Sequence, residues 1–215
     1  MSYNNADILV ATTNPGKINE LTTLLGRAVN WISLDYFKGI EEIKEDGDTF
    51  GQNARKKATG YAKMTGLWTL ADDSGLVIDA LDGAPGVKSA RFSGEKLKGN
   101  DRTLIDHRNI KKVLRLLESV PDKKRNARFI CSLCLASPEK ILIQTQGTLE
   151  GFITDREIGE NGFGYDPIFF VPRLNKTVAQ LTSEEKNAIS HRGNAIRELK
   201  NKLEKLLKEE KQGGR

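Results

Sequence analysis

The sequence Leu-Ala-Asp-Asp-Ser-Gly-Leu at residues 70–76 places two adjacent carboxylates between two apolar runs. Both runs, residues 67–70 and 76–78, are of the type that favours β-strands. Neighbouring acids repel each other and gain nothing from burial, whereas a magnesium ion beside them would reverse that balance. The pattern therefore predicts a metal-dependent site at the end of a strand. The alternative is a polar turn between two strands, because Asp, Ser and Gly are common in turns.

The length and composition are those of a soluble globular protein. The 215 residues suffice for one sizeable domain or for two lobes that share a core. No window approaches the length of a transmembrane helix, and residues 1–7 have neither the basic nor the apolar part of a secretory signal. We therefore expect a cytoplasmic protein that does not bind membranes.

The net charge of +5 raises the possibility of an anionic partner such as nucleic acid. Residues 197–215 contain seven Lys or Arg and four Glu, so +3 of the charge lies in one C-terminal helix. This concentration indicates a solvated helix face, and we expect no nucleic-acid partner.

The two cysteines have CxxC spacing, at Cys131 and Cys134. Such spacing suggests redox chemistry or zinc binding. The surrounding run looks like a strand, however, and an odd offset puts the two thiols on opposite faces. We therefore predict two buried core cysteines.

Residues 8–25 are typical of a strand, a turn and a helix. A short apolar strand at 8–12 leads through a turn at 14–16 into a helix at 17–25. Backbone N–H groups at the helix start, together with Lys17, would form a phosphate cradle. The segment is not a Walker A loop, since Gly16 and Lys17 are followed by isoleucine. The alternative is a plain β–turn–α connection.

Three further segments carry candidate site residues. An acidic loop at 41–48 is either solvated or sends one carboxylate to a metal, and the polar side of the following helix, 49–64, carries Asn53 and Lys57.

The glycine-rich segment 160–167 offers Phe163 and Tyr165 as ring faces for a base, unless both rings lie in the core. Beyond a capping box at 182–185, three cations cluster near a helix boundary, where the alternative is surface charge. These cations are Lys186, His191 and Arg192.

Together these signals predict a nucleoside triphosphate site. Lys17 would hold phosphate, and the ring faces would bracket the base. Acids would hold Mg²⁺, and further cations would neutralise the polyanion. The acids are Glu45, Asp72 and Asp73, and the cations are Lys57, Lys186 and Arg192.

Five motifs follow one another along the chain, at residues 12–17, 71–75, 84–91, 163–167 and 190–193. In this order they resemble the inosine triphosphate pyrophosphatase family, also called the XTP/dITP or non-standard purine NTP pyrophosphatases. The resemblance runs from about residue 8 to the final helix and implies an α/β fold, with a mixed central sheet flanked by helices. It also implies two lobes with a nucleotide-binding cleft between them, and a homodimer. We expect a single domain over residues 1–215 with a frayed basic tail at 205–215.

The resemblance implies Mg²⁺-dependent hydrolysis of ITP, dITP and XTP to the monophosphate and pyrophosphate. Asp73 would be the general base, and Glu45 with Asp73 would bind the metal, although Glu41, Glu42 and Asp46 lie in the same loop. Asp72 would be an alternative ligand or a supporting residue. The implied substrate-binding residues are Thr12, Thr13, Asn14, Pro15, Gly16, Lys17, Ser74, Phe163, Gly164, Tyr165, Asp166, Lys186, His191 and Arg192, to which the need to neutralise the polyanion adds Lys57.

Base choice follows only in part from the residues. Donors such as His191 and Arg192 would favour the O6 acceptor of inosine and xanthosine over the amine of adenine. Rejection of guanine rests on the resemblance alone. Two alternatives are a septum-inhibitor-type pyrophosphatase acting on dTTP or UTP and a non-catalytic nucleic-acid-binding protein.

Overall fold

A mixed β-sheet with flanking helices forms the framework of this protein. The computed structural model describes residues 7–12, 14–25, 29–94 and 101–213. The strands are β1 (Asp7–Val10), β2 (Asn30–Ser33), β3 (Trp68–Ile78), β4 (Asn126–Ala136), β5 (Ile141–Ile153), β6 (Phe169–Val171) and β7 (Lys176–Thr177). The helices are α1 (Pro15–Leu25), α2 (Phe50–Thr65), α3 (Arg102–Leu116), α4 (Ser183–Ile189) and α5 (His191–Gly213).

The sheet order within the described residues is β2-β1-β3-β4-β5-β6-β7. Strand β1 pairs in parallel with both β2 and β3, whereas β6 pairs antiparallel with β5 and β7. Parallel neighbours need crossover connections, and here α1 and α2 supply them. The predicted mixed α/β class is therefore confirmed.

Strand β3 runs without interruption through the two central acids. Its 11 residues extend from Trp68 to Ile78, so Asp72 and Asp73 lie inside the strand. The prediction of a strand end was wrong, and so was the alternative of a turn. Asp72 and Asp73 interrupt the hydrophobic pattern of the sequence but do not end the strand, because cations and hydrogen-bond donors from other elements stabilise the buried carboxylates.

The chain divides into two compact units. Among the described residues, unit 1 comprises 7–73, 131–147 and 191–213, with the gaps given above, and unit 2 comprises 74–130 and 148–190 with its own gap. The predicted single domain over residues 1–215 stays a prediction.

The sheet in unit 1 has an apolar core on each face. On one face Leu70 packs in a cluster with Leu21 of α1 and Leu199 of α5. On the other face Ala71 packs in a cluster with Ala54 and Ala58 of α2. Successive strand residues point to opposite faces, so these helices cover the two sides of β3.

The two cysteines follow the same alternation. Cys131 belongs to the cluster with Leu70, and Cys134 belongs to the cluster with Ala71. Both are buried and neither forms a disulfide. The prediction of core cysteines on opposite faces is confirmed.

The core of unit 2 packs α3 against strands β3 to β6. Ile110 and Val113 of α3 lie in one cluster with Leu76, Phe129 and Phe169. The rings of Phe129 and Phe169 stack with centroids 4.3 Å apart. This packing fixes α3 beside the strands that carry the glycine-rich segment.

Helix α5 is long and polar, and its backbone extends to Gly213. Side chains beyond residue 209 lie outside the described residues, so the frayed tail at 205–215 stays a prediction. No helix in the described ranges combines the length and apolarity needed to cross a bilayer.

Candidate functional site

On one face of β3, Asp72 lies in a fully buried cationic setting. Lys17 Nζ of α1 is 2.8 Å from Asp72 Oδ2, and Arg192 Nη2 of α5 is 3.7 Å from the same oxygen. Burial alone would raise the pKa of Asp72, but the charges of Lys17, Arg192 and Lys57 outweigh it and hold the pKa well below its usual range. The Asp72 side chain is therefore a carboxylate that organises two cations.

Arg192 is held by a second acid that the sequence analysis did not select. It is only 2% exposed, and its Nη1 also pairs with Glu20 Oε2 of α1. Glu20 lies three residues after Lys17, on the same side of the helix, and this spacing was the available signal. The guanidinium is thus fixed between two carboxylates.

A glycine in β5 lets the start of α5 approach the sheet. A Cβ on Gly147 would lie 2.1 Å from the His191 carbonyl oxygen and 2.6 Å from the Ala195 nitrogen. Since neither backbone atom can move easily, only glycine fits there. His191 and Arg192 are buried as a result, and Lys186 is buried in unit 2. The interpretation of these three cations as surface charge was therefore wrong.

On the other face of β3, Asp73 meets α2. Asn53 Nδ2 donates a hydrogen bond to Asp73 Oδ2 at 2.9 Å. Burial raises the pKa of Asp73, while Lys57 and the Asn53 bond act in the opposite direction without cancelling the effect. A carboxyl group with a raised pKa is suited to take up a proton.

Asn53 also orders the acidic loop. Its Oδ1 accepts a hydrogen bond from the Gly47 N–H at 2.8 Å, and the side chain is completely buried. Asn53 therefore lies on the buried side of α2 and not on the polar side that the sequence predicted. The periodicity failed here because a buried amide with both ends bonded resembles a surface residue in sequence.

Lys57 joins the acidic loop to the acids of β3. Its Nζ is 3.1 Å from Glu45 Oε1. Burial would lower the pKa of Lys57, but the charges of Asp72, Glu45 and Asp73 raise it above the ordinary value. Asp46 of the same loop instead pairs with Lys44 and Lys56 at the surface. Glu45 is thus the loop acid whose contacts lead to the charged centre.

The turn before α1 is held by the side chain of Asn14. Its Oδ1 accepts hydrogen bonds from the N–H groups of Gly16 at 3.0 Å and Lys17 at 3.3 Å. Thr12 Oγ1 accepts one from the Asn14 N–H. Because Asn14 already satisfies these two N–H groups, the prediction of a phosphate cradle now rests on the Lys17 side chain. Thr13 and the side chain of Pro15 lie outside the described residues.

Unit 2 holds its own buried ion pair. Lys186 Nζ is 2.8 Å from Asp166 Oδ2, which also accepts a hydrogen bond from the Phe163 N–H at 2.9 Å. The same ammonium lies 4.4 Å from the centroid of the half-buried Phe163 ring. One cation therefore binds both the carboxylate and the ring face of the glycine-rich segment.

Tyr165 differs from Phe163. It is 5% exposed and packs in the core of unit 2, and its hydroxyl donates to the Ser89 carbonyl at 2.8 Å. The expectation that its ring provides an open stacking face was wrong, because the ring is enclosed. Gly164 donates its N–H to Asp106, while Ser74 is half-buried in β3.

The contacts thus bring the predicted residues together within each unit. Unit 1 gathers Lys17, Lys57, Asp72 and Arg192 around β3 with Asp73 and Glu45, an arrangement suited to a polyanion and to proton removal. Unit 2 gathers Asp166 and Lys186 around a partly exposed aromatic ring, which suits a flat heterocycle.

Comparison with known proteins agrees with this chemistry. A family model described as the Ham1 family matches residues 8–202. The dITP/XTP pyrophosphatase of Halalkalibacterium halodurans is 50% identical over 192 residues, which cover 89% of this chain and 95% of that protein. The protein of the same name from Bacillus cereus is 48% identical over 199 residues, 91% of this chain and 94% of the relative.

Solved structures give the same result. A HAM1 protein from Coxiella burnetii superposes with a TM-score of 0.82 at 42% identity, covering 93% of this chain and 99% of that one. The Staphylococcus aureus Ham1 protein superposes with a TM-score of 0.81 at 41% identity, covering 92% and 98%. This chain therefore belongs to the Ham1 family.

Proposed function

We propose that this protein hydrolyses dITP, ITP and XTP to the nucleoside monophosphate and pyrophosphate, and so removes deaminated purines from the nucleotide pool. The observation that carries the proposal is Asp73, a buried carboxyl group with a raised pKa among the cations of unit 1, in a chain of the Ham1 family. Its relatives named dITP/XTP pyrophosphatases match almost their whole length. The enzyme is accordingly a hydrolase of phosphoric anhydrides.

The donor atoms fit a hard divalent cation. Glu45 and Asp73 both interact with Lys57, so two carboxylates converge on one buried positive charge. The described residues contain no group of three or more His, Cys, Asp or Glu side chains that could hold a metal ion. Mg²⁺ is usually bound by one or two carboxylates together with waters and substrate phosphates, so Glu45 and Asp73 would suffice.

We assign the ligands to Glu45 and Asp73. When bound, Mg²⁺ supplies charge neutralisation on the phosphate oxygens. Asp72, whose carboxylate is taken up by Lys17 and Arg192, is assigned to positioning those cations.

The chemistry at phosphorus falls to Asp73 and the cations. Asp73 orients a water molecule and takes its proton as the water attacks the α-phosphorus, and pyrophosphate leaves. Lys17 and Lys57 offset the charge on the leaving phosphates, because the main requirements of such a transfer are positioning and charge stabilisation. Asn53 holds the Asp73 carboxylate in place during proton transfer.

Base selection is assigned to the aromatic ring of Phe163 and to donor side chains. Phe163 stacks on the purine, while His191 and Arg192 favour an O6 acceptor over the amine of adenine. Gly164, Tyr165, Asp166 and Lys186 shape the same segment. We further propose a cytoplasmic homodimer without a nucleic-acid partner.

The test is pyrophosphate release from ITP, dITP, XTP, GTP, ATP and dTTP, with and without Mg²⁺. We expect fast, Mg²⁺-dependent release from the first three alone. Release from dTTP or UTP would overturn the assignment of the base, and equal kcat/KM for ITP and GTP would refute selection against guanine. Undiminished release after chelation would remove the metal from the mechanism.

A further inference from the structure

Asp106 of α3 contacts the glycine-rich segment although it lies in none of the five sequence motifs. Its Oδ2 accepts a hydrogen bond from the Gly164 N–H at 2.8 Å. The two residues are 58 positions apart in sequence, so the bond joins two separate elements of unit 2. A bond from an N–H group to a carboxylate is stronger than one between neutral groups.

One turn later, Asn109 of the same helix holds a second segment. Its Nδ2 donates to the Ser89 carbonyl at 3.3 Å, and its Oδ1 accepts from the Ser93 N–H at 2.7 Å. The same Ser89 carbonyl accepts the hydroxyl of Tyr165. Residues at i and i+3 share a helix face, so Asp106 and Asn109 lie on the same face of α3. This face therefore holds both the glycine-rich segment, through Gly164, and Ser89, whose carbonyl binds Tyr165.

The segment needs such external contacts because glycine is flexible. Gly162 and Gly164 have φ values of +82° and +63°, in the left-handed region. Glycine loses more conformational freedom on ordering than other residues do. Asp166 fixes the Phe163 N–H from within the segment, whereas Asp106 fixes the next N–H from outside. Burial also raises the pKa of Asp106, with the Gly164 bond opposing that rise, so its carboxylate is desolvated where it meets the segment.

We propose that Asp106 is a positioning residue for nucleobase binding: its bond to Gly164 fixes residues 162–166 in the conformation that presents the Phe163 ring. The inference rests on the proposed function, in which that ring stacks on the purine. Asp106 does not touch the substrate and acts through the backbone of Gly164.

The experiment compares Asp106→Ala and Asp106→Asn with the wild type on two substrates. One is dITP, and the other is 2-deoxyribose 5-triphosphate, which keeps the triphosphate but has no base. Lys111→Ala is the control, since Lys111 is an exposed residue of the same helix. Amide hydrogen exchange at Gly164 is followed in each protein, because it reports the bond without any substrate.

In Asp106→Ala we expect kcat/KM for dITP to fall about tenfold, equivalent to about 1.4 kcal/mol. Its kcat/KM for the base-free substrate should stay at the wild-type value, and exchange at Gly164 should be faster. Asp106→Asn should restore both readouts because its amide oxygen still accepts the bond, and Lys111→Ala should match the wild type.

Equal losses on both substrates, or an unchanged exchange rate in Asp106→Ala, would overturn the inference. A wild-type enzyme that releases no pyrophosphate from dITP would instead refute the proposed function. The exchange measurement would then still decide whether Asp106 fixes the segment. If Asp106→Ala does not fold, Asp106→Asn decides: wild-type values in both readouts would support the positioning role, whereas a loss on dITP without faster exchange at Gly164 would reject it.

Discussion

The two faces of β3 shift the pKa values of two neighbouring aspartates in opposite directions. Asp72 faces α1 and α5, where Lys17 and Arg192 hold its pKa well below the ordinary range. Asp73 faces α2, where burial raises its pKa despite Lys57 and the hydrogen bond from Asn53. Identical side chains one residue apart thus have pKa values shifted in opposite directions, which fits our proposal that Asp72 is a structural anion and Asp73 the proton acceptor.

The difference shows that desolvation and pairing compete at each site separately. Two cations close to one carboxylate more than repay its burial. At Asp73 the hydrogen bond from Asn53 and the charges of Lys57 and Lys17 do not offset the effect of burial on the pKa. Pairs of titratable groups whose surroundings push their pKa values apart are typical of sites of acid–base catalysis. Four substitutions test this comparison, in order of decreasing effect, and Lys57→Ala is the counterpart of the last.

The largest effect is expected from Asp73→Asn. Loss of a general base typically lowers kcat on the order of 10²–10⁴-fold. Nucleotide binding should persist, because the cations of unit 1 remain. Steady-state kinetics with dITP and equilibrium titration with the nucleotide measure the two quantities. Near-wild-type turnover would exclude Asp73 from this role and would break the comparison.

The thermal stability of Asp73→Asn tests whether the ionised Asp73 side chain destabilises the folded protein. Because the pKa of Asp73 is raised, the group's contribution to stability is present below its unfolded pKa of about 3.9 and lost as the pH rises through the folded value. Asp73→Asn should therefore have a Tm at neutral pH equal to or above that of the wild type.

Asp72→Asn should instead lower stability. Removing one partner from a buried ion pair leaves uncompensated charge and costs about 3–5 kcal/mol. The pKa of Asp72 is lowered, so its contribution is present above about pH 3.9 and lost as the pH falls below that value. Denaturant unfolding at neutral pH measures the loss. A free energy of unfolding equal to that of the wild type would mean that Asp72 does not stabilise the fold through Lys17 and Arg192.

Asn53→Ala should shift the pH dependence of activity. The Asn53 bond stabilises the ionised form of Asp73, so its removal raises the pKa of Asp73 further. The acid limb of kcat/KM should therefore move to higher pH, by about one unit if the bond contributes about 1.4 kcal/mol. An unchanged acid limb, or one displaced to lower pH, would contradict the assignment of Asp73 as the titrating base.

The smallest effect is expected from Lys56→Ala, the matched control for Lys57→Ala. Lys56 and Lys57 are adjacent on α2, but Lys56 pairs with Asp46 at the surface whereas Lys57 is buried beside Glu45. An exposed pair contributes about 0–1 kcal/mol, and kcat should not change. Lys57→Ala should lower activity strongly. Equal activities of the two variants would remove Lys57 from the charged centre.

Much of the fold was visible in the sequence. The sequence predicted α1 and α2 to within a few residues, and the odd spacing of Cys131 and Cys134 gave their opposite faces correctly. The capping box at Thr182 is present, with both reciprocal bonds to Glu185. These features depend on local geometry, which neighbouring residues dictate.

The site was only partly visible. The sequence selected Lys17, Asp73 and Lys186 by residue type, but it missed Glu20 and Asp106. It also placed Asn53 on the wrong side of α2 and misjudged the ring of Tyr165. The missed residues act on partners that lie far away in sequence, such as the pair Glu20 and Arg192, 172 positions apart. A polar residue with a buried partner has the same sequence pattern as one exposed to solvent.

The sequence by itself determined the order of the motifs, and the resemblance of these motifs to a known family implied the mixed α/β class. Motifs depend on turn chemistry and residue identity, which are properties of short segments. The tertiary structure alone decided that β3 continues through its acids and that Asp72 and Asp73 differ. The pKa of a carboxyl group depends on its desolvation and on charges within a few ångströms, and only folding brings α1, α2 and α5 that close to one strand.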